Sequence, residues 1–137
     1  MLIFEWKGEY ELGFSEIDAQ HKKLVSMIND LGGSAKKGYQ TSQDELAKKI
    51  DGLAEYAVFH FDYEEKYMKE FEYSLYEQHK REHESFKGEV VRLKGKISKE
   101  EEISVIDLAS FLLQWFVNHE VNFDQKYVEI FKQKGLK

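Results

Sequence analysis

Apolar residues recur at intervals of three and four along four segments of this chain, and this spacing limits the possible folds more than any other feature. Side chains three and four positions apart share one face of an α-helix, so each segment presents one apolar stripe. The second segment shows the pattern clearly in Leu46, Ile50, Leu53 and Ala57. The chain has no proline to interrupt long helices. Four such helices with short connections predict an all-α fold, an antiparallel up-down-up-down four-helix bundle.

Capping residues predict where the helices begin and end. Asp18 is expected to cap the first helix, Gly38 to end it, and Ser42 to open the second through a capping box. A second capping box, from Ser98 to Glu101, is expected to precede the fourth helix. The chain is then a single domain, residues 1–137, with an extended N-terminal arm at 1–17 and helices at about 18–37, 42–71, 74–97 and 103–133.

Composition excludes several classes of protein. The chain has no cysteine, which excludes disulfides, iron–sulfur clusters and thiolate metal sites. Its net charge of −6 argues against nucleic-acid binding. It has no apolar run of about 18 residues that would span a membrane, and its first residues do not resemble a signal peptide. These features predict a soluble, cytoplasmic protein that binds neither nucleic acid nor membranes.

Histidines interrupt the apolar stripes. A lone histidine on such a face usually bonds to a backbone carbonyl, but five at once, with none left for the surface, are difficult to explain in that way. A metal ion would give every one of these buried groups a partner. Two pairs also have the four-residue spacing at which side chains on one helix can hold the same ion. The candidate ligands are His21, His60, Glu64, His79, His83 and His119.

The number of imidazoles predicts two metal ions. Five imidazoles exceed the ligands of one tetrahedral zinc. Two six-coordinate ions offer twelve positions, of which five imidazoles, two bridging carboxylates and one solvent-derived bridge fill eleven. The open position suits reversible binding of a small molecule such as O2.

Asp124 is the candidate for the second bridging carboxylate, because it lies near His119 in the sequence. The offset of five residues turns about 140° on a regular helix, which would align the two side chains poorly. A local distortion such as a π-bulge is therefore predicted between them.

The same residues resemble the bacterial hemerythrins, and the resemblance covers nearly the whole chain. It implies two iron ions, joined by an oxo or hydroxo bridge, with O2 bound as a ligand at one of them. The motifs that carry it are His21-Lys22-Lys23-Leu24, His60-Phe61-Asp62-Tyr63-Glu64-Glu65, His79-x-x-x-His83, and Trp115-Phe116-Val117-Asn118-His119 followed by Asp124. By this resemblance, the filled iron would be held by His79, His83 and His119, the open iron by His21 and His60, and the bridges would be Glu64 and Asp124.

The resemblance also implies roles for residues beside the irons. Phe116 is expected to overhang the O2 pocket, where the family commonly has leucine, and Phe61 is expected to line the same pocket. Glu65 is expected to be an outer residue and not a ligand. Glu120 replaces an apolar residue usual in the family, and it is expected either at the surface or in an outer hydrogen bond.

The function implied is O2 binding without catalysis, for storage, delivery or sensing. The expected partners are O2 itself and a separate O2-consuming or signalling protein. A di-iron enzyme that reduces peroxide or nitric oxide is the alternative. Nothing in the sequence supplies an obvious proton donor beside the open position, which favours O2 binding over the enzyme.

Overall fold

Long helices packed as an antiparallel bundle form the computed structural model, which describes residues 6–36, 43–99 and 104–137. The predicted all-α four-helix bundle is confirmed. Helix α1 packs on α2 and α4, and α2 packs on α3. None of the helices in the described ranges has the length and apolar character to cross a membrane. The elements are a 3-10 turn Gly8–Tyr10, α1 Ser15–Lys36, α2 Gln43–Glu70, α3 Tyr76–Ser98, α4 Val105–His119, a π turn Glu120–Asp124 and α5 Gln125–Gln133.

The first helix begins earlier than predicted. It starts at Ser15, so residues 15–17 belong to α1 and not to the arm. Asp18 therefore lies inside the first turn and does not cap the helix. Its carboxylate instead accepts hydrogen bonds from the backbone N–H groups of Leu12 at 2.8 Å and Gly13 at 3.1 Å. Gly13 turns the chain at a φ of 94°, which glycine adopts without strain. The two hydrogen bonds then attach the arm to the first turn of the helix.

The predicted cap of the fourth helix was wrong, although the predicted start at about 103 lies two residues from the observed Val105. Ser98 is the last residue of α3 and opens no helix, because Ile97 is buried and keeps the last turn of α3 packed on the bundle. The cap of α4 is Ser104, whose side chain accepts a hydrogen bond from the backbone N–H of Asp107 at 3.3 Å. The other predicted ends lie within two residues of those observed. The predicted caps Gly38 and Ser42 lie outside the described residues.

Two apolar clusters fill the bundle and leave a polar layer between them. Along α1 the polar layer lies between Ile17 and Leu24. The fourth helix of the bundle consists of α4, the π turn and α5 together, and along it the layer lies between Phe116 and Tyr127. The larger group, here called the inner cluster, includes Leu24, Ile28, Phe61, Phe86, Leu112 and Phe116. The smaller group, here called the arm cluster, includes Leu12, Phe14, Ile17, Met68, Tyr127 and Phe131.

Candidate metal centre

The seven predicted metal ligands meet in the polar layer between the two clusters. Each of these side chains is at most 3% exposed. Two helices contribute a pair four residues apart, so that both members share one helix face. The ligands come from α1 (His21), α2 (His60 and Glu64), α3 (His79 and His83), the end of α4 (His119) and the end of the π turn (Asp124).

The candidate ligand atoms form two groups that share their carboxylates. Within each group, the atoms lie within 4.8 Å of one another. The imidazoles are divided three to two, so one group has a nitrogen fewer than the other. The first group is Glu64, His79, His83, His119 and Asp124, and the second is His21, His60, Glu64 and Asp124.

Asp124 directs one oxygen towards each group. Its Oδ1 lies 2.9 Å from Nε2 of His79 and 3.0 Å from Nε2 of His119. Its Oδ2 lies 3.2 Å from Nε2 of His21, in the other group. A carboxylate with one oxygen on each side has the orientation of a bridge between two cations.

The π turn brings Asp124 into this position. Its wider hydrogen bonding is seen at Gln125, whose backbone N–H bonds to the carbonyl oxygen of Glu120, five residues back. A π turn takes up one residue more than an α turn. The residue five positions after His119 therefore occupies the helix face that the fourth would otherwise take. The distortion predicted from the sequence is confirmed.

Glu64 places a single oxygen between the two groups. Its Oε1 lies 3.3 Å from Nε2 of His60 and 3.3 Å from Nε2 of His83. Its Oε2 accepts a hydrogen bond of 2.5 Å from the hydroxyl of Tyr127. The tyrosine therefore fixes the orientation of the carboxylate and leaves Oε1 facing both sides of the layer.

Several polar atoms in the layer approach one another without forming hydrogen bonds. Nε2 of His79, Oε1 of Glu64 and both carboxylate oxygens of Asp124 are buried and have no hydrogen-bond partner. Two of the imidazoles do meet at hydrogen-bond distance, since Nε2 of His21 lies 3.0 Å from Nε2 of His60. Converging lone pairs of this kind fit cations, since a cation gives each donor atom a partner. Imidazole and carboxylate together suit iron, zinc and copper, so these residues fit a pair of metal ions.

The electrostatics of the layer keep its carboxylates ionised. Burial alone would raise the pKa values of Glu64 and Asp124, but the surrounding histidines hold both well below their ordinary range. Burial lowers the pKa of His83, yet its contacts with Glu64 and Glu65 raise it to about 9 overall. Without a cation, the layer therefore holds a proton that a metal must displace.

Outer side chains hold two of the histidine rings through the nitrogen that faces away from the layer. Oε2 of Glu65 lies 2.8 Å from Nδ1 of His83, and Oε1 of Gln20 lies 2.7 Å from Nδ1 of His60. Glu65 belongs to neither ligand group. The structure therefore places it where an outer residue was expected.

Two residues at the site were not predicted to have polar roles there. Gln20 is a buried amide directly before His21, and no sequence pattern distinguishes it from a surface glutamine. Tyr127 follows the helical spacing of inward-facing residues, but this spacing alone assigns no role to its hydroxyl. Its position three residues after Asp124 puts both on one helix face, and this spacing is the signal that could have identified its hydroxyl.

Glu120 occupies neither of its two expected positions. It is 0% exposed, so it does not lie at the surface, and neither carboxylate oxygen has a hydrogen-bond partner. Burial raises its pKa to about 8, and nearby Asp124 and Asp18 act in the same direction, while His21 opposes them. The π turn thus directs this residue into the bundle, towards α1.

An apolar cavity adjoins the metal layer and includes both predicted pocket residues in its wall. Phe61 stacks on the imidazole of His83, with centroids 3.9 Å apart and an interplanar angle of 11°. Phe116 meets His21 edge-on, with centroids 5.3 Å apart and an angle of 80°. The rest of the wall includes Leu24, Leu53, Phe86 and Leu112, with His60, His119 and Asp124 at the layer.

Comparisons with known proteins agree with this architecture. Residues 12–130 match the family model described as the Hemerythrin HHE cation binding domain. A bacteriohemerythrin of Clostridium acetobutylicum is 34% identical over 93% of this chain and 100% of that protein. A bacteriohemerythrin of Methylococcus capsulatus is 31% identical over 93% of this chain and 95% of that protein. A crystal structure of wild-type hemerythrin superposes with a TM-score of 0.85 at 29% identity, covering 93% of this chain and 97% of that one.

Proposed function

This chain belongs to the hemerythrin family, and we propose that it binds O2 reversibly at a pair of iron ions in the buried layer. The observation that carries the proposal is the three-to-two division of the imidazoles around two shared carboxylates. An evenly ligated pair would offer the same number of protein ligands to each ion. An uneven pair leaves one ion with a position for a small molecule.

The proposed ligand roles follow the two groups. Asp124 would bridge through both oxygens, and Glu64 would bridge from the position that Tyr127 fixes. The filled ion would be held by His79, His83 and His119, and the open ion by His21 and His60, with Glu64 and Asp124 common to both.

The iron pair, when bound, supplies the electrons and the open coordination position through which O2 is held and released. The protein's part is to admit O2 and to exclude water and anions. Phe116 and Phe61 support this role, because both line the apolar cavity beside the layer. An apolar wall favours an uncharged gas over hydrated ions.

The proposed role is storage, delivery or sensing of O2, without catalysis, and it includes a separate O2-consuming or signalling protein as partner. A di-iron enzyme that reduces peroxide or nitric oxide is a second candidate. The observation in its favour is Glu120, a buried carboxyl group that interacts electrostatically with His21.

Spectroscopy of the reduced, iron-loaded protein tests the proposal. We expect two irons per chain, and a charge-transfer absorption band that appears with O2 and disappears when O2 is removed. The cycle should repeat without loss of signal. Continuous consumption of peroxide or nitric oxide, with no stable O2 form, would establish the enzyme instead. A protein that takes up no iron would contradict both.

A further inference from the structure

Glu120 is a buried acid for which the proposed O2 binding has no use. It opens the π turn, is 0% exposed, and has two carboxylate oxygens without hydrogen-bond partners. Burial of an unpartnered carboxyl group opposes folding. An aliphatic side chain of similar size would fill the same space without this penalty, so the acid is expected to have a purpose.

His21 is the neighbour of Glu120 that can donate a hydrogen bond. Glu120 lies four residues after Phe116 and four before Asp124, and both of those side chains contact the ring of His21. The other charged groups around Glu120 are the acids Asp124, Asp18 and Glu64. Nε2 of His21 lies 3.2 Å from Oδ2 of Asp124 inside the layer. Its other nitrogen, Nδ1, is buried and has no hydrogen-bond partner. The ring thus has one nitrogen at the metal layer and one directed away from it.

Two other histidines of the layer already show the pairing that His21 lacks. Nδ1 of His60 lies 2.7 Å from Oε1 of Gln20, and Nδ1 of His83 lies 2.8 Å from Oε2 of Glu65. Such outer partners fix the orientation and the tautomer of a histidine that binds metal through its other nitrogen.

We propose that Glu120 is the outer partner of His21 and accepts a hydrogen bond from its Nδ1–H, directly after a side-chain rotation or through one buried water. The bond holds the Nε2 lone pair of His21 on the ion that has the open position. Glu120 is thus a positioning residue. This inference rests on the proposed function, since it takes His21 to be a metal ligand.

A Glu120 that filled the open coordination position itself would leave no position for O2. Formation of the reversible O2 adduct in the wild type therefore separates this alternative from the role as outer partner of His21.

Anaerobic Fe(II) titration against a competing chelator tests the inference with two substitutions. Glu120→Ile removes the acceptor and should weaken the binding of one of the two ions by about 10- to 100-fold, the usual effect of losing an outer partner. Glu120→Gln keeps an acceptor oxygen and should restore most of that affinity.

Glu65→Leu is the matched control, since it removes the outer partner of His83 on the other ion. E65L should weaken the binding of one ion, and the double variant should weaken the binding of both, because the two substitutions affect different ions. Equal Fe(II) affinity in E120I and wild type would overturn the inference, as would equal losses in E120I and E120Q. A wild type that binds no Fe(II) would instead overturn the proposed function, and the inference with it.

Discussion

The imidazoles on the two sides of the layer have different surroundings. His83 is stacked against Phe61 and bonded through Nδ1 to Glu65, so packing and a charged partner both fix its ring. His21 meets Phe116 edge-on, and among the described residues its Nδ1 has no direct hydrogen-bond partner, so its ring is held less firmly. The three-imidazole side is thus suited to hold an ion firmly. The two-imidazole side has a ligand fewer, and we expect O2 to bind there. The cavity adjoins both sides, since its wall includes His60 of the one and His119 of the other.

Phe116→Leu tests whether Phe116 controls entry to that side. The ring is 5% exposed and lines the cavity beside His21. A leucine removes part of this wall, so we expect O2 to bind to the reduced protein severalfold faster, as measured by stopped-flow absorption. The lost packing should lower the free energy of unfolding by about 1 kcal/mol.

Phe14→Leu is the control for this substitution, because Phe14 is equally buried but belongs to the arm cluster, away from the cavity. It should lower stability by a similar amount and leave the O2 rate unchanged. Equal rates in F116L, F14L and wild type would show that Phe116 does not restrict access.

Among the elements, the end of α2 contains a strained backbone position. The N–H of Tyr73 bonds to the carbonyl of Met68 at 2.9 Å, and that of Glu72 to the carbonyl of Lys69 at 3.2 Å. These two bonds define a Schellman motif, which places Glu72 at the left-handed position where glycine is preferred. Its φ is 55°. A side chain in this conformation destabilises the folded state.

Glu72→Gly should therefore raise the free energy of unfolding by about 1 kcal/mol. The end of α5 supplies a matched control, because Gly135 has a φ of 90° and bonds to Lys132 in the same way. Gly135→Ala should lower stability by about 1 kcal/mol, since a Cβ there meets no other atom within 4 Å and only the backbone conformation is affected. Urea denaturation measures both. No gain in E72G would mean that the turn carries no strain.

The π turn Glu120–Asp124 determines which face of the helix Asp124 occupies, so changing the length of the turn should change metal binding. Asn122 is exposed on this turn. Deleting it should restore a regular helix in which the aspartate follows His119 by four residues and still reaches the layer. Inserting one alanine after Asn122 should instead rotate Asp124 away. We expect two irons per chain in the deletion variant and fewer in the insertion variant by metal analysis. The reverse result would contradict the role assigned to the turn.

The helix ends show where sequence reasoning failed. Asp18 and Ser98 have the side chains of caps, but a cap depends on which backbone amides are within reach. The carboxylate of Asp18 bonds to the arm, which no local pattern reveals. α3 continues through Ser98 because Ile97 is buried in the inner cluster. A hydrogen-bonded contact with the arm overrode the local preference of Asp18, and packing across the bundle overrode that of Ser98.

At the scale of the whole molecule, a layer of seven polar side chains separates two apolar clusters. The layer was predictable from the sequence because buried polar groups at helical spacing must satisfy one another. Its outer partners were not predictable. Gln20 bonds to His60 on a different helix, and that contact depends on how α1 and α2 pack.

Metal removal should destabilise the whole bundle, because it leaves the layer without partners for its buried atoms. An ion present at about a thousand times its dissociation constant stabilises a fold by about 4 kcal/mol. We therefore expect the melting temperature, followed by circular dichroism, to fall by roughly 10 °C or more on treatment with a chelator.

His83→Ala serves as the control for metal removal, since it deletes one of the proposed ligands. The chelator should change its melting temperature much less than that of the wild type. Identical melting of the wild-type protein with and without metal would show that the layer is satisfied without ions.

The most direct test of the central claim is anomalous diffraction at the iron edge, on crystals of the reduced, iron-loaded protein before and after exposure to O2. The account predicts two iron peaks between Glu64 and Asp124, one bound by three imidazoles and the other by His21 and His60. New density should appear after O2 only at the iron of His21 and His60, on the side of the cavity. A single iron peak, or new density at the iron of the three imidazoles, would contradict it.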